Sequence, residues 1–422
     1  MLYAKDFDWK AGGRQVADLA SWKERFEWVE DPVISPDGNS VAAVAKVADE
    51  DLFTVCVNGE DWSQPFEKIW NLRYSPAGHL TALVQKDDAW TLAIDGEAWE
   101  ESFDFAWNPL FSRDGSDIAL CIQSDGEYGI ALNGTPWETL YQNANNACLS
   151  PTGGRTAAAV QTERLGQAET DKFQSGIFSA SVDGETWDQT FVNVWGVTFS
   201  PDGAKVAAEI RLNLYEYSIA VDGKPWRRNF AGVWEPVFSP DGKRVAAPVR
   251  MAGKWTLAVD GERAWNNDYF QLWHQQFSPD GQSIAAIVCP RFGKWTVAVN
   301  DTPWATAHDV VKDLVISSDG KHAAAAAGRP GDWTVIVDGR PWNASFERVW
   351  APMFSPDGRS VAVMAEVNGR RVIALDGKVW GKGPGNCLDP VFSLDGSKLL
   401  VKCLDGQKII RRVVTMDELG AA

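Results

Sequence analysis

The sequence predicts an all-β protein, a single β-propeller of ten four-stranded blades. A tight turn of the Ser-Pro-Asp-Gly type recurs ten times, and a tryptophan precedes each of its serines at one constant spacing, as Trp342 precedes Ser355. Fixed periods of about 39 residues are typical of repeat folds, in which each unit buries its apolar faces against its neighbours. The turns begin at Ser35, Ser75, Ser112, Ser150, Ser200, Ser239, Ser278, Ser317, Ser355 and Ser393. The tryptophans, which we name the turn tryptophans, are Trp22, Trp62, Trp99, Trp137, Trp187, Trp226, Trp265, Trp304, Trp342 and Trp380.

One repeat, residues 342–377, shows the strands of a blade. The turn at Ser355 is followed by the apolar run 360–367, then by Asn368-Gly369, a strong two-residue hairpin signal. A second apolar run, 371–375, ends at an Asp-Gly turn, and Trp380 opens the stretch that leads to the next unit. We name the four predicted strands A (before the serine turn), B, C and D (from the tryptophan), the anatomy of a propeller blade.

The ring is predicted to close between its two ends. After Ser393 the chain offers strands A, B (397–403) and C (408–415) but no strand D. Trp22 keeps the constant spacing to Ser35, so we expect residues 22–29 to pair with 408–415 and hide both sheet edges. The predicted propeller is therefore residues 22–415, with an N-terminal extension (1–21) and a C-terminal tail (416–422). Ten blades exceed the usual four to eight, but two smaller rings would need a linker and a second closure signal.

Two further tryptophan positions recur within the repeats. Six tryptophans lie on predicted strand A, shortly before the turn serine: Trp70, Trp107, Trp195, Trp234, Trp273 and Trp350. Others begin strand C, at Trp90, Trp255, Trp295 and Trp333. An arc of strand A indoles near the channel mouth would stack on sugars, bases or an aromatic cofactor, so these six are candidate interaction residues. Simple alternation places Trp234 and Phe238 on one strand face, which favours a position in the core between blades.

One repeat is longer than the others. The interval from Ser150 to Ser200 exceeds its peers, and the extra length, residues 162–173, falls between strands B and C. Loops on rigid scaffolds often carry function, so Glu163, Arg164 and Phe173 are further candidate interaction residues. The alternative is a solvated excursion without a role.

Charge and composition restrict the classes of partner. The formal net charge is −17 and the estimated pI is 4.7, so the surface repels phosphate backbones and anionic lipid headgroups. We expect no nucleic-acid partner and no direct membrane insertion, since no stretch has the roughly 20 apolar residues that span a bilayer. The first residues lack the basic and apolar regions of a signal peptide, which predicts a cytoplasmic location.

The residues needed for catalysis or metal binding are not grouped in the sequence. Six cysteines (Cys56, Cys121, Cys148, Cys289, Cys387 and Cys403) stand far apart, and we expect structural, reduced thiols. Four histidines (His79, His274, His308 and His322) fall in different repeats, and His308 takes the place of a strand D phenylalanine. The many Asp-Gly pairs are explained as turns rather than calcium loops. We predict no cofactor, no metal and no catalytic residue, although a propeller enzyme can assemble a site from separated residues.

The phenylalanine before the Ser-Pro-Asp-Gly turn and the Val/Ile/Ala strand after it resemble the TolB-type, WD40-like propeller repeat over residues 22–415. The tryptophan content and acidic charge are also similar to the tryptophan-rich cytoplasmic subunit of the Tmc transmembrane redox complex of sulfate-reducing bacteria. That resemblance implies a cofactor-free subunit, peripheral at the inner membrane through partners that carry the electrons.

Three functions remain open from the sequence. The first is a non-catalytic scaffold that docks protein subunits through one propeller face or the rim. The second is a propeller that binds carbohydrate or another small ligand through exposed indoles. The third is a hydrolase with a scattered site, which ester, glycoside and peptide substrates would reveal. The ten turn tryptophans are predicted to be structural, wedged between blades.

Overall fold

The chain forms ten antiparallel sheets arranged in a ring, a ten-bladed β-propeller, in a computed structural model that describes residues 6–48, 50–381 and 386–420. Hydrogen bonding within each sheet follows the order A-B-C-D. Strands A of several consecutive blades contact one another, so strand A is innermost. The predicted fold class and blade count are confirmed.

The first five blades have the following strands, in the order A to D. Blade I contains Trp28–Val29 with Val33–Ile34, Val41–Lys46, Phe53–Val57 and Glu60–Asp61. Blade II contains Lys68–Tyr74, Leu80–Lys86, Ala89–Ile94 and Glu97–Ala98. Blade III contains Phe105–Phe111, Ile118–Ser124, Glu127–Leu132 and Thr135–Pro136. Blade IV contains Ala144–Leu149, Thr156–Gln161, Phe178–Val182 and Glu185–Thr186. Blade V contains Asn193–Phe199, Val206–Arg211, Tyr217–Val221 and Lys224–Pro225.

The other five blades follow the same order. Blade VI contains Val237–Phe238, Val245–Met251, Lys254–Val259 and Glu262–Arg263. Blade VII contains Gln271–Phe277, Ile284–Arg291, Lys294–Val299 and Thr302–Pro303. Blade VIII contains Val310–Ile316, Ala323–Arg329, Asp332–Val337 and Arg340–Pro341. Blade IX contains Arg348–Val349 with Met353–Phe354, Val361–Val367, Arg370–Leu375 and Lys378–Val379. Blade X contains Cys387–Phe392, Lys398–Asp405, Lys408–Thr415 and Gly12–Asp18.

The ring closes through a strand that differs from the predicted one. Gly12–Asp18 pairs antiparallel with Lys408–Thr415 and supplies strand D of blade X. Residues 22–29 do not pair with that strand, and the propeller begins at residue 12 rather than 22. Helix α1 (Leu19–Arg25), whose N-cap Asp18 accepts a hydrogen bond from the Ala20 N–H, follows the strand and carries Trp22. Although it lies in a helix, Trp22 occupies the same place as the other turn tryptophans, buried between two blades, here X and I, beside Gly59. This shared place explains why Trp22 keeps the constant spacing to its turn serine.

Basic side chains of blade X hold the N-terminal segment. The Lys398 ammonium donates to the Trp9 carbonyl at 2.8 Å, and the Arg411 guanidinium donates to the carbonyls of Asp8 and Asp37. Arg411 is only 3% exposed, and this burial lowers its pKa. At the other terminus, helix α3 (Met416–Gly420) buries Leu419 against the core of blade X.

The two faces of the ring differ in what they carry. The A–B face holds the serine turns, and turns of neighbouring blades touch, as Gly203 does with Ser150 and Thr152. The C–D turns lie on the same side, where an Asp or Asn side chain accepts the first N–H of strand B, as Asn58 does for Val41. The B–C face holds the B–C hairpins and the D–A connections.

Candidate functional site: an aromatic B–C face

The turn tryptophans lie between blades. In blades I to IX each of these tryptophans comes after a two-residue strand D rather than at its start. Its backbone N–H donates to strand C of the same blade, as the Trp62 N–H donates to the Val55 carbonyl at 2.9 Å. The rings pack against the C–D turn glycine of the next blade, in the pairs Trp62–Gly96, Trp99–Gly134, Trp137–Gly184, Trp187–Gly223, Trp226–Gly261, Trp304–Gly339 and Trp342–Gly377. The remaining two, Trp265 and Trp380, are 4% and 3% exposed.

The six strand A tryptophans occupy a different environment. Trp70 is 59% exposed and Trp234 is 44% exposed, whereas Trp107, Trp195, Trp273 and Trp350 are half-buried. The prediction that this position lies in the core between blades is therefore wrong for Trp70 and Trp234. These side chains lie towards the B–C face.

A β-bulge explains why simple alternation fails along strand A. In blade II the register shifts between Trp70, opposite Leu83, and Arg73, opposite Thr81. The extra residue, Asn71, has a positive φ of 53°, a conformation that asparagine tolerates better than most residues. In blade VI the bridges Val233–Val249 and Val237–Ala246 show the same one-residue insertion. Trp234 thus lies on the opposite strand face from Phe238.

The two recurring aromatic positions meet as pairs across strand B. In blade VII the rings of Trp273 and Trp295 stack, with centroids 4.4 Å apart and planes 14° apart. The same two positions are in contact in blades II, III, V and VI, as Trp70–Trp90 (6.4 Å), Trp107–Tyr128 (6.1 Å), Trp195–Tyr217 (6.4 Å) and Trp234–Trp255 (5.5 Å). The sequence shows that both positions recur, but it does not predict the strand register that brings them into contact.

Cation–π contacts replace the aromatic pair in two blades. In blade VIII the ammonium of Lys312 lies 5.3 Å from the Trp333 ring centroid, and in blade IX the guanidinium carbon of Arg371 lies 5.6 Å from that of Trp350. These residues occupy the same strand A and strand C positions as the aromatic pairs. A cation is attracted to the face of an aromatic ring, so these two pairs also hold strands A and C together. With the five aromatic pairs, side-chain pairs of this kind occur in seven blades.

Exposed apolar side chains collect on the B–C face. Among the described residues, eleven large apolar side chains are exposed, and ten of them lie on this face: Trp28, Trp70, Phe105, Leu165, Leu214, Tyr215, Trp234, Phe270, Phe292 and Val310. Leu394, in the turn after Ser393, lies on the A–B face. An exposed apolar surface confined to one face of a protein is a candidate interaction site. We name the B–C face with these ten side chains the aromatic face.

The insertion of blade IV lies on the aromatic face and contacts blade III. Arg164 pairs with Glu127 of the blade III hairpin at 3.3 Å, and Lys172 pairs with Glu163 at 3.1 Å. The segment contains a six-residue helix, α2 (Thr170–Ser175), and Phe173 packs edge-on against Phe178 at 6.4 Å.

A groove lies between blades VIII and IX on the same face. Its volume is about 640 Å³, and Trp333, Trp350, Lys312, Arg348 and Glu366 are on its walls. Lys312 also donates to the Val349 carbonyl at 3.1 Å. Indole walls beside charged hydrogen-bonding groups are chemically suited to a small polar ligand with an apolar face.

The histidines and cysteines differ in their partners and their burial. His79 and His322 each contact a C–D turn aspartate at 2.7 Å, Asp95 and Asp338 respectively, pairs that the sequence did not reveal. Burial lowers the pKa of His308. The six cysteines form no disulfide bond within the described ranges. Burial raises the pKa of Cys121 to about 11 and that of Cys148 to about 12. Register brings the sulfur atoms of Cys387 and Cys403 within 3.6 Å.

No metal centre or membrane-spanning helix is present in the described ranges. Three or more His, Cys, Asp or Glu side chains nowhere gather in residues 6–48, 50–381 or 386–420 in a way that would hold an ion. The helices that the structure describes are short, and none of them has the length and apolarity to cross a bilayer.

Comparison with known proteins finds similarity at the level of fold. No protein family and no curated protein matches the sequence. A eukaryotic initiation factor structure matches 79% of this chain and 92% of its own at 15% identity, with a TM-score of 0.47. The Dos1 propeller matches 96% and 95% at 11% identity and 0.35. A putative TolB from Agrobacterium tumefaciens matches 48% and 82% at 18% identity and 0.28. Similarity at this level concerns the fold alone.

Proposed function

We propose that this protein is a non-catalytic interaction scaffold that docks a protein through its aromatic face. The observation that carries the proposal is the one-sided distribution of exposed apolar side chains, ten on the B–C face and one on the A–B face among the described residues. A solvent-facing surface of this kind is stabilised when another protein covers it. The rigid ring of blades holds the aromatic pairs in place, so little conformational entropy is lost on docking.

Co-purification followed by footprinting tests the proposal. A tagged full-length chain would be recovered from its native cells, and hydrogen exchange would be compared between the isolated and the complexed protein. We expect protection on strand A and the B–C hairpins around Trp70 and Trp234. Substituting both with alanine should abolish co-purification, whereas Leu394→Ala on the A–B face should not. Protection confined to the A–B face would contradict the proposal.

The narrower proposal is that the partner belongs to a membrane-associated electron-transfer complex. Its support is the similarity in tryptophan content and acidic charge to the Tmc cytoplasmic subunit, and it implies a cytoplasmic location at the inner membrane through partner subunits. Identifying the co-purified chains by mass spectrometry tests it directly. Recovery without any cytochrome or iron–sulfur subunit would exclude it.

The groove between blades VIII and IX favours a second candidate function, binding of a carbohydrate or another small ligand. Trp333 and Trp350 would stack on the apolar face of a sugar ring, while Arg348 and Glu366 would bond its hydroxyls. Titration with maltotriose, cellotriose and chitotriose should quench tryptophan fluorescence in the wild type and not in Trp350→Ala. Trp70→Ala, outside the groove, is the matched control. A wild type that responds to none of them would remove this function.

A further inference from the structure

The hairpins of the aromatic face divide into two arcs of opposite charge. Blades I, II and III form the acidic arc, where the B–C hairpins carry Asp51, Asp87, Asp88 and Asp125. The Asp51 carboxylate is fully exposed and lies 3.7 Å from the Lys46 ammonium. Glu67 adds a carboxylate at the tip of blade II, where it accepts the N–H groups of Asp87 and Asp88.

Blades V, VI and VII form the basic arc, an unusual surface on a chain with a net charge of −17. The hairpins of blades VI and VII carry Arg250, Lys254, Arg291 and Lys294 and no carboxylate. Within the part of the chain that the structure describes, Arg250 and Arg291 form no ion pair, while Lys294 pairs with Asp309 at 2.6 Å. Free cations on this arc are therefore available to an acidic partner.

Exposed apolar groups accompany both arcs. The acidic arc carries Trp28, Trp70 and Phe105 in blades I, II and III respectively. The basic arc carries Tyr215 in blade V, Trp234 in blade VI, and the pair Phe270 and Phe292 in blade VII, with ring centroids 6.1 Å apart. Lys254 lies over the Phe270 ring at 3.0 Å. Each arc thus combines apolar side chains with an excess of charge of one sign, since Lys86 is an exposed cation of the acidic arc and Glu216 an exposed carboxylate of the basic arc.

The ten-blade ring allows the two arcs to meet in a two-fold dimer. Consider two rings facing each other, related by a two-fold axis that lies in the contact plane and passes through blades IV and IX. Blade II then lies opposite blade VI, blade I opposite blade VII, and blade III opposite blade V. Two-fold interfaces are isologous, so every such contact occurs twice. Asp87 and Asp88 would face Arg250 and Lys254, and Trp70 would face Trp234.

We propose that a second copy of this chain covers the aromatic face, with the acidic arc of each subunit against the basic arc of the other. The inference rests on the proposed function, because it names the occupant of the docking face. The acidic and the basic arc are complementary in charge, and exposed apolar side chains lie at matching positions in both. Because both arcs are on the same chain, a second copy of the chain is the partner that fits this face. The A–B face and the rim remain free for other subunits.

Oligomeric state and its salt dependence provide the first test. Light scattering after gel filtration and sedimentation velocity on the full-length chain should show a dimer that dissociates on dilution. Added salt should weaken it, because exposed charge pairs are screened beyond about 8 Å at physiological ionic strength. A chain that stays monomeric at all concentrations overturns the inference. A monomeric chain would not exclude the proposed function, because a different protein could still dock on the aromatic face, and the co-purification experiment tests that separately.

Charge reversal provides a sharper test. One variant carries Asp87→Arg and Asp88→Arg, and a second carries Arg250→Glu and Lys254→Glu. Each variant alone should dimerise at least about tenfold more weakly than the wild type, since like charges would then face each other. Mixing the two should restore a heterodimer, because the reversed arcs are complementary. One chain with all four changes should also regain the homodimer.

Controls separate the interface from folding. Asp87 and Asp88 have positive φ values of 52° and 64°, so their replacement by arginine strains the hairpin turn. Asp87→Asn with Asp88→Asn removes the charges but tolerates this conformation, and it should weaken the dimer with little change in circular dichroism or melting temperature. Lys243→Glu, with a side chain 79% exposed on the A–B face of blade VI, should dimerise like the wild type. Dimers that ignore both reversals, or reversals that are not rescued by mixing, would assign the contact to another surface and refute the two-arc arrangement.

Discussion

The indole of Trp62 in blade I lies against Gly96 in the C–D turn of blade II, so closely that a β-carbon at Gly96 would stand 3.0 Å from Trp62 Cγ. Gly96 also has a positive φ of 93°, which L-residues adopt at a cost. Glycine is therefore required at this position for two reasons: the turn needs a positive φ, and the Trp62 indole of the neighbouring blade leaves no room for a side chain. The aromatic wedge between blades depends on this pair and its equivalents around the ring.

Substitution of Gly96 should destabilise the ring more than backbone strain alone would. Gly78 in the same blade has a similar φ of 89° but no atom within 4 Å of its β-position, so it is a matched control. Gly78→Ala should cost about 1 kcal/mol of unfolding free energy from strain. Gly96→Ala should cost about 1–3 kcal/mol more, because the added methyl group overpacks the inter-blade space. Chemical denaturation of both variants compares the costs, and equal losses would contradict the wedge.

The sequence was sufficient to predict the blades and insufficient to predict the closing strand. Ten serine turns with ten tryptophans specify a ten-blade repeat, and strand C of blade X was predicted at its observed bounds, Lys408–Thr415. The closing strand Gly12–Asp18 begins with two glycines and lacks the apolar pattern of the other strands. Its partner lies at the opposite end of the chain, so local pattern gave no signal for the pairing.

The sequence names Trp70 and Trp234 as candidate interaction residues, yet simple alternation favours a core position for them. The one-residue bulge after Trp70 does not change the apolar pattern of strand A, and its mark in the sequence is the identity of Asn71, a residue type that tolerates its positive φ. Strand register similarly decides that Trp273 stacks on Trp295 and that Cys387 lies opposite Cys403. A recurring Asn, Asp, His or Gly directly after the strand A position was the available signal.

Glu209 should make stability depend on pH near neutrality. Its carboxylate in blade V accepts the Glu235 N–H of blade VI at 2.5 Å, and burial raises its pKa to about 7. A raised folded-state pKa favours the folded protein fully below the unfolded value near 4.5, and that contribution is lost as pH rises through 7. Glu209→Gln should therefore gain up to about 3 kcal/mol on the wild type between pH 5 and pH 9. Thermal melts at both pH values measure this, and a constant difference would show that Glu209 ionises normally.

The serine turns should weaken in acid for the opposite reason. The Ser116 N–H, together with the hydroxyls of Ser112 and Ser116, lowers the pKa of Asp114 to about 2. A lowered folded-state pKa stabilises the fold above the unfolded value near 3.8, and the contribution is lost as pH falls towards 2. Asp114→Asn should lower the melting temperature at pH 6 more than at pH 2. In a background that carries Ser112→Ala and Ser116→Ala, this difference should shrink; if it does not, the turn hydroxyls are not the cause.

Removal of residues 1–18 should open the ring by deleting strand D of blade X. The deletion exposes the edge of Lys408–Thr415 and removes the carbonyls that accept hydrogen bonds from Lys398 and Arg411. Arg411 would then be a buried cation with fewer acceptors, a costly state, so the melting temperature should fall and hydrogen exchange should rise first in blades X and I. A variant in which 12–18 follows Thr415 through a short glycine-serine linker, in place of α3, restores the edge pairing without linking the two chain ends. If that variant matched the wild type in stability, the N-terminal strand would stabilise the protein only by completing the sheet of blade X, and not by connecting blade X to blade I. We expect it to regain protection in blade X only, because Asp18 would no longer continue into α1 and blade I, which leaves noncovalent contacts such as the packing of Trp22 and the Arg411–Asp37 hydrogen bond between the two end blades.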